Sequence, residues 1–257
     1  MKYGQKKFYD ARYSFLKRGL SKLQSMPVLF YDSRLIRIML KTLRAVSIDN
    51  VLEVGCGQGT DAILISKYAR DAVAIDISFN ALRVANKLSQ MNNCLEKVFF
   101  IVADAEHLPF RDGVFDIVFC KDLLHHLPNS LLALSEMNRV AKMGGKVAAI
   151  EANACNPQMI LIGLVYFSVD KRVFKNTKAK LITIFRKAGI LDVNAEETEF
   201  APRHLLFEYR SPLCLPLFSR SKLVLKILNK IEDRMQNLWP IRNFLNYIII
   251  HGVKKRV

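Results

Sequence analysis

A chain of 257 residues and 29.4 kDa is long enough for one large α/β domain, and a hydrophobic content of 51% excludes a disordered chain. A formal net charge of +16, with pI near 9.7, implies attraction to something anionic: nucleic acid, a phospholipid surface or an acidic substrate. Five cysteines without a C-x-x-C pair exclude a disulfide framework and a metal site of that kind, and suit a reducing, cytoplasmic interior.

The elements follow in chain order. Residues 5–24 and 33–46 read as two amphipathic helices, the second capped by Asp32 or Ser33, and residues 1–49 form a helical cap. From residue 50, short, nearly all-apolar runs alternate with helical stretches. The runs are Asn50–Val54, Ala72–Asp76, Val98–Ala103, Phe115–Cys120 and Lys146–Ala152, and they suit strands buried on both faces of a parallel sheet. Helices are expected over Asp61–Ala69, Ser78–Gln90 and Ser130–Lys142, the last capped by Asn129 or Ser130 and stopped by Gly144-Gly145. A helix over Thr177–Ala188 and strands near Leu191–Phe200 and Tyr247–Val253 would complete the sheet. Between those strands, Ser219–Leu238 reads as a basic amphipathic helix. The alternation predicts an α/β, Rossmann-like doubly wound sheet in a domain spanning residues 50–257, with acceptor-side insertions over about 157–245.

The charge is unevenly spread. Residues 1–49 carry net +8, residues 50–170 net −3 and residues 171–257 net +11. The longest apolar stretch, Met159–Val169, is too short to span a bilayer, which needs about 20 residues. With no secretion signal at the N-terminus, a cytoplasmic protein is expected, one able to rest on the inner face of the membrane.

The strongest signal is Val51-Leu52-Glu53-Val54-Gly55-Cys56-Gly57-Gln58-Gly59-Thr60, a strand running into a glycine-rich turn and then a helix. Such a turn lets a ligand lie against the backbone at the carboxyl end of the first strand. Its G-x-G-x-G spacing departs from the G-x-G-x-x-G of dinucleotide sites. Asp76 ends the second strand, followed by Ile77, where a ribose would offer its hydroxyls. Asp104 ends the third and could meet a base amino group. Three carboxylates at successive strand ends suit a nucleoside with a cationic centre and no pyrophosphate, the character of S-adenosylmethionine.

Residues 50–152 resemble the class I S-adenosylmethionine-dependent methyltransferases, and more narrowly the methyltransferase type 11 group that includes ubiquinone- and menaquinone-biosynthesis-like enzymes. The resemblance rests on Glu53, Gly55, Gly57 and Gly59 in the E-x-G-x-G-x-G loop, on Asp76, and on Asp104-Ala105. It continues through Ala105–Phe110, Phe115–Val118, Leu124–Leu127 and Glu136–Val140. The usual Lys-Pro-Gly-Gly reads Lys142-Met143-Gly144-Gly145 here, and Glu151–Pro157 resembles an E-P-N-x-x-N-P motif without its first proline. The resemblance implies a seven-stranded sheet, mostly parallel with the last strand antiparallel. It also implies a cofactor site of Glu53, Gly55, Cys56, Gly57, Gly59, Asp76, Ile77, Asp104, Ala105 and Lys121.

His125 and His126, just beyond the fourth strand, are the candidate general bases, and His204 or Tyr209 could reach the acceptor from the C-terminal segment. Lys121-Asp122-Leu123-Leu124 lacks the proline-rich turn of adenine amino methyltransferases. Cys120, following Phe119 in an apolar run, reads as a buried side chain and not a nucleophile. The expected activity is methyl transfer to a small or lipid-linked acceptor. Apolar Met159–Val169 and Leu213–Phe218 would roof a greasy pocket or touch an anionic bilayer, with Lys171, Arg172, Arg220, Lys222 and Lys226 meeting phosphates. RNA as acceptor, tracked by the basic flanks, and a non-catalytic S-adenosylmethionine-binding scaffold are the alternatives.

Overall fold

The structure is a computed structural model and describes residues 10, 26–45, 48–157, 176–199, 222–235, 238 and 245–255. The chain order is α1 (Met26–Thr42), β1 (Asn50–Val54), α2 (Thr60–Ile65), β2 (Asp71–Asp76), α3 (Phe79–Met91), β3 (Val98–Val102) and β4 (Phe115–Lys121). A 3₁₀ turn (Leu124–His126) follows, then α4 (Ser130–Val140), β5 (Ala141–Ala152), α5 (Lys178–Lys187), β6 (Leu191–Thr198), α6 (Lys222–Met235) and β7 (Tyr247–Val253). The seven strands form one sheet in the order β3-β2-β1-β4-β5-β7-β6. All pairings are parallel except those of β7, which runs antiparallel to both β5 and β6. This is the doubly wound sheet with its last strand reversed that the sequence leads one to expect.

Two-residue alternation along the central strands explains the layers. Val51, Ile117, Phe119, Ala148, Ile150, Tyr247 and Ile249 share one apolar cluster with Leu35, Ile36 and Met39 of α1 and Ala62 and Leu64 of α2. Their immediate neighbours Leu52, Val118, Cys120, Val147, Ala149, Ile248 and Ile250 share the other, with Leu134 and Met137 of α4 and Leu181 and Phe185 of α5. Both sheet faces are thereby covered in the centre, which is why these strands read as unbroken apolar runs.

The edge strand β3 departs from that expectation. Phe99, Ile101 and Val102 are exposed, because residues 103–114 return to β4 with no covering helix. The expected helix 33–46 begins seven residues earlier, at Met26, so Asp32 and Ser33 lie within the helix and not at its start. Helix α4 does start at an Asn129 cap, whose side chain accepts from Leu132 N at 3.1 Å. It ends at Val140, however, and β5 begins at once, ahead of Gly144-Gly145. The reason is distant in sequence: Lys254 Nζ donates to the carbonyls of Arg139 (2.6 Å) and Ala141 (2.9 Å), and Lys254 exchanges backbone hydrogen bonds with Gly144 and Gly145.

The expected helix 5–24, apart from Asp10, and the segments Met159–Val169 and Leu213–Phe218 lie outside the described residues, as do His204 and Tyr209. Among the described residues no helix is long and apolar enough to cross a membrane.

Gly252 shows how tightly β7 is seated: a Cβ there would lie 2.4 Å from Ile190 Cγ2 and 2.6 Å from the Leu191 carbonyl oxygen. Gly252→Ala should cost about 1–3 kcal/mol of stability through overpacking, read as a lower urea midpoint at unchanged slope.

Candidate functional site

The chain leaves β1 towards β2 and β3 on one side and returns to β4 on the other, so the strand order reverses between β1 and β4. A crevice outside the carboxyl ends of those strands is the place where open α/β sheets bind ligands. The candidate residues converge there: Glu53 on β1, the turn 55–59, Asp76 at the end of β2, Asp104 after β3, and Lys121 to His126 leaving β4.

The three glycines of the turn all have positive φ: 76° at Gly55, 53° at Gly57 and 74° at Gly59. Two of them are also places of close packing. A Cβ on Gly55 would sit 2.6 Å from Leu123 Cδ1, and one on Gly59 would sit 2.6 Å from Phe100 Cε1 and 2.8 Å from Ala85 Cβ. Gly59 therefore lets α2 start hard against β3 and α3. Gly57 N–H donates to Asp76 Oδ2 at 2.8 Å, while Ser78 N–H donates to Asp76 Oδ1 at 2.8 Å. The β2 carboxylate thus holds the glycine turn in place. Burial pushes the Asp76 carboxyl up, and these two N–H donors pull it part of the way back. Asp10, a residue that helical periodicity gave no reason to single out, approaches the same corner. It accepts from the Ser78 hydroxyl, and its backbone carbonyl accepts from Asn80 Nδ2 at 3.2 Å.

Glu53 is 2% exposed, and its Oε2 has no hydrogen-bond partner among the described residues. Beside it, Lys121 Nζ lies 2.9 Å from Asp61 Oδ2 and 3.1 Å from Asp61 Oδ1 in a nearly buried ion pair. Burial, and next the Asp61 charge, hold the Glu53 carboxyl well above the usual carboxylate range, against the opposing pull of Lys121. Cys56 is buried, and burial pushes its thiol up. Asp104 accepts from Glu106 N at 3.0 Å and has His107 Nδ1 3.4 Å away; Ala105 is buried and Ile77 half-buried.

This loop is clamped from α4. Arg139 donates to Glu136 (2.7 Å), Asp112 (2.7 Å) and the carbonyls of Leu108 (3.0 Å) and Phe110 (2.8 Å), while Glu136 accepts from Leu108 N (2.8 Å). The Glu136–Val140 stretch thereby gains a physical meaning: it fixes the segment that carries Asp104.

Across the crevice, His125 Nδ1 is 2.7 Å from Glu151 Oε2, both side chains being buried. Glu151 also accepts from Leu123 N (3.0 Å), Leu124 N (2.7 Å) and Asn176 Nδ2 (2.8 Å). The half-buried His126 ring stacks obliquely on that of His125, with centroids 4.0 Å apart. Sequence reasoning singled out the histidines but not Glu151 or Asn176 as their support. The available signal was a carboxylate at the end of one strand next to a histidine at the end of its neighbour. Cys120 is fully buried and its thiol pushed up by burial, as its apolar surroundings suggested.

The donor set can be tested against S-adenosylmethionine. Glu53, Asp76 and Asp104 offer carboxylate oxygens at three successive strand ends, one of them a buried oxygen without a partner. S-adenosylmethionine would bring to them an ammonium, a sulfonium, a ribose diol and an amino group. The residues fit that group. A doubly wound sheet with β7 reversed and a glycine turn flanked by carboxylates defines the class I methyltransferase architecture.

Comparison with known proteins agrees. Residues 52–149 match the family model described as a methyltransferase domain. The chain is 30% identical over 122 residues to an uncharacterised methyltransferase, YcgJ, of Bacillus subtilis, which covers 48% of each protein. It is 38% identical over 133 residues to a demethylmenaquinone methyltransferase of Staphylococcus aureus, covering 50% of this chain and 54% of that protein. It is 35% identical over 104 residues to the chloroplastic tocopherol O-methyltransferase of Arabidopsis thaliana, covering 40% and 30%. The match thus spans about half the length of these curated relatives, or less. The crystal structure of YcgJ superposes with a TM-score of 0.61 at 20% identity, over 86% of this chain and 98% of that one, which establishes the shared fold. Residues 52–149 therefore carry a methyltransferase domain of the class I, S-adenosylmethionine-dependent kind, and S-adenosylmethionine is the cofactor that such domains use.

Because the Glu53 carboxyl is raised in the folded protein, the native state holds a proton that the unfolded chain has already released. The cofactor-free protein should lose stability as pH climbs from the ordinary glutamate range through the raised value. Glu53→Gln should flatten that decline, as followed by melting temperature against pH.

Proposed function

We propose that this protein transfers the methyl group of S-adenosylmethionine to a small or lipid-linked acceptor whose reacting atom carries an acidic proton. The observation that carries the reading is the buried His125–Glu151 pair at the ends of β4 and β5, beside the carboxylate-lined crevice. S-adenosylmethionine supplies an activated methyl on a sulfonium, so the protein's work is alignment and proton removal. Glu53 and the nearby Asp61–Lys121 pair would hold the amino-acid end, Asp76 the ribose, and Asp104 with Ala105 the adenine. Ile77 and the backbone from Gly55 through Cys56 and Gly57 to Gly59 would line the path between them.

With Nδ1–H donated to Glu151, the basic lone pair of His125 lies on Nε2, the atom that would take the acceptor's proton. Glu151 fixes that tautomer and stabilises the imidazolium that results. His126, stacked on His125, would restrict its tilt. The relatives named for methylating demethylmenaquinone and tocopherol favour a phenol or hydroquinone as the acceptor class.

Calorimetric titration should show micromolar binding of S-adenosylmethionine and none of NAD. Gly57→Arg should abolish it, and Asp76→Ala should weaken it by about 1–3 kcal/mol, the cost of losing a charge-assisted partner. Unchanged affinity in both variants would refute the site. With prenylated hydroquinones and simple phenols as probes, His125→Asn should lower kcat by roughly 10²–10⁴-fold with cofactor affinity retained. Glu151→Gln should shift the ascending, acid-side limb of the pH profile to lower pH, because the imidazolium loses its carboxylate partner; full activity of His125→Asn would refute the base.

A further inference from the structure

We infer that α6 lies flat on an anionic bilayer and docks the protein there. Leu223, Ile227 and Ile231 recur every four residues and form one row along this helix, 66%, 49% and 47% exposed. Single exposed aliphatics are ordinary; a row of three along one helix face is a contact surface. Immediately beside it runs a second exposed row with the same spacing, Lys226, Lys230 and Arg234.

The fold ties this helix to α1 on the flank beside the basic row. Asp233 of α6 accepts from Arg34 Nη2 of α1 at 2.8 Å, and Arg34 is itself buried. At about 100° per residue, Asp233 stands about 120° around the helix from Ile227. The same count puts Asp233 about 20° from Lys226 and about 80° from Leu223, so the tie to α1 flanks the basic row, and Ile227 and Ile231 turn away from it.

The pairing of rows selects the partner. A nucleic acid would use the cations but leave three aliphatic side chains in water, and an apolar protein groove would leave the cations without counter-charge. An anionic bilayer satisfies both: aliphatics enter the acyl boundary while the neighbouring Lys and Arg stems keep their heads at the phosphates. At about 1.5 Å per residue the helix is some 21 Å long, suited to lying in the interface and too short to cross it. The sequence from 171 to 257 carries net +11, a charge that adds long-range attraction to an anionic surface. This docking rests on the exposed face of α6 alone and is independent of the methyl-transfer reading.

The test is flotation of the full chain, without cofactor, on phosphatidylcholine vesicles and on vesicles containing about 30% phosphatidylglycerol, at low and high salt. The wild type should float with the anionic vesicles only, and high salt should release it. Ile227→Glu should lower the bound fraction roughly tenfold, as should the pair Lys226→Glu and Lys230→Glu, since each removes one of the two contributions. Circular dichroism and S-adenosylmethionine affinity identical to wild type would show that these surface variants are folded. Absence of wild-type binding at low salt would overturn the inference, as would undiminished binding of Ile227→Glu. Light scattering that shows a dimer dissolved by Ile227→Glu would also overturn it, assigning the row to self-association.

Discussion

A fully buried carboxylate, Glu151, gathers hydrogen bonds from Leu123 N, Leu124 N, His125 Nδ1 and Asn176 Nδ2. A charge so placed is tolerable only because its oxygens are satisfied, and removing any of its partners leaves part of the desolvation cost uncompensated. Those four donors come from the turn after β4, from the candidate base and from the residue ahead of α5. One interaction therefore ties together two strand ends, a histidine tautomer and the point where the chain re-enters the sheet. The turn it holds also presents Leu123 to Gly55, so the glycine loop depends on it at one remove.

On the other side of the crevice the order is reversed: the glycine turn is held by a carboxylate that a cofactor would also need. Asp76 accepts from Gly57 and Ser78, and Glu53 sits buried with one oxygen unmatched beside the Asp61–Lys121 pair. Burial works against ionisation of both Glu53 and Asp76. A cationic, donor-rich ligand relieves that cost, whereas an anionic one would add to it. This preference, more than the glycine spacing, separates the site from a pyrophosphate-binding one.

Much of this was legible in the amino-acid order because the signals are local. The apolar runs of β1, β4 and β5, the Asn129 cap and the strand-turn-helix of residues 50–65 each depend on neighbours a few positions away. Asp76 and Asp104 could be placed because a doubly wound sheet brings successive strand ends to one edge. What escaped was set by long-range partners. The end of α4 is held by Lys254, and the exposure of β3 follows from a missing covering helix. Asp10 meets Ser78 across 68 positions.

The sequence by itself determined the alternating elements and the class of ligand, since periodicity and charge type are properties of the chain in any conformation; the reversed last strand was implied only by the family resemblance. Only the tertiary structure decided which carboxylate supports which base. Hydrogen bonding between Glu151, His125 and Asn176 requires atoms 25 and 26 residues apart to come within 3 Å. It also brought Asp233 of α6 to Arg34 of α1, nearly 200 positions away in the chain. Residue order specifies what each group can do; packing specifies what it meets.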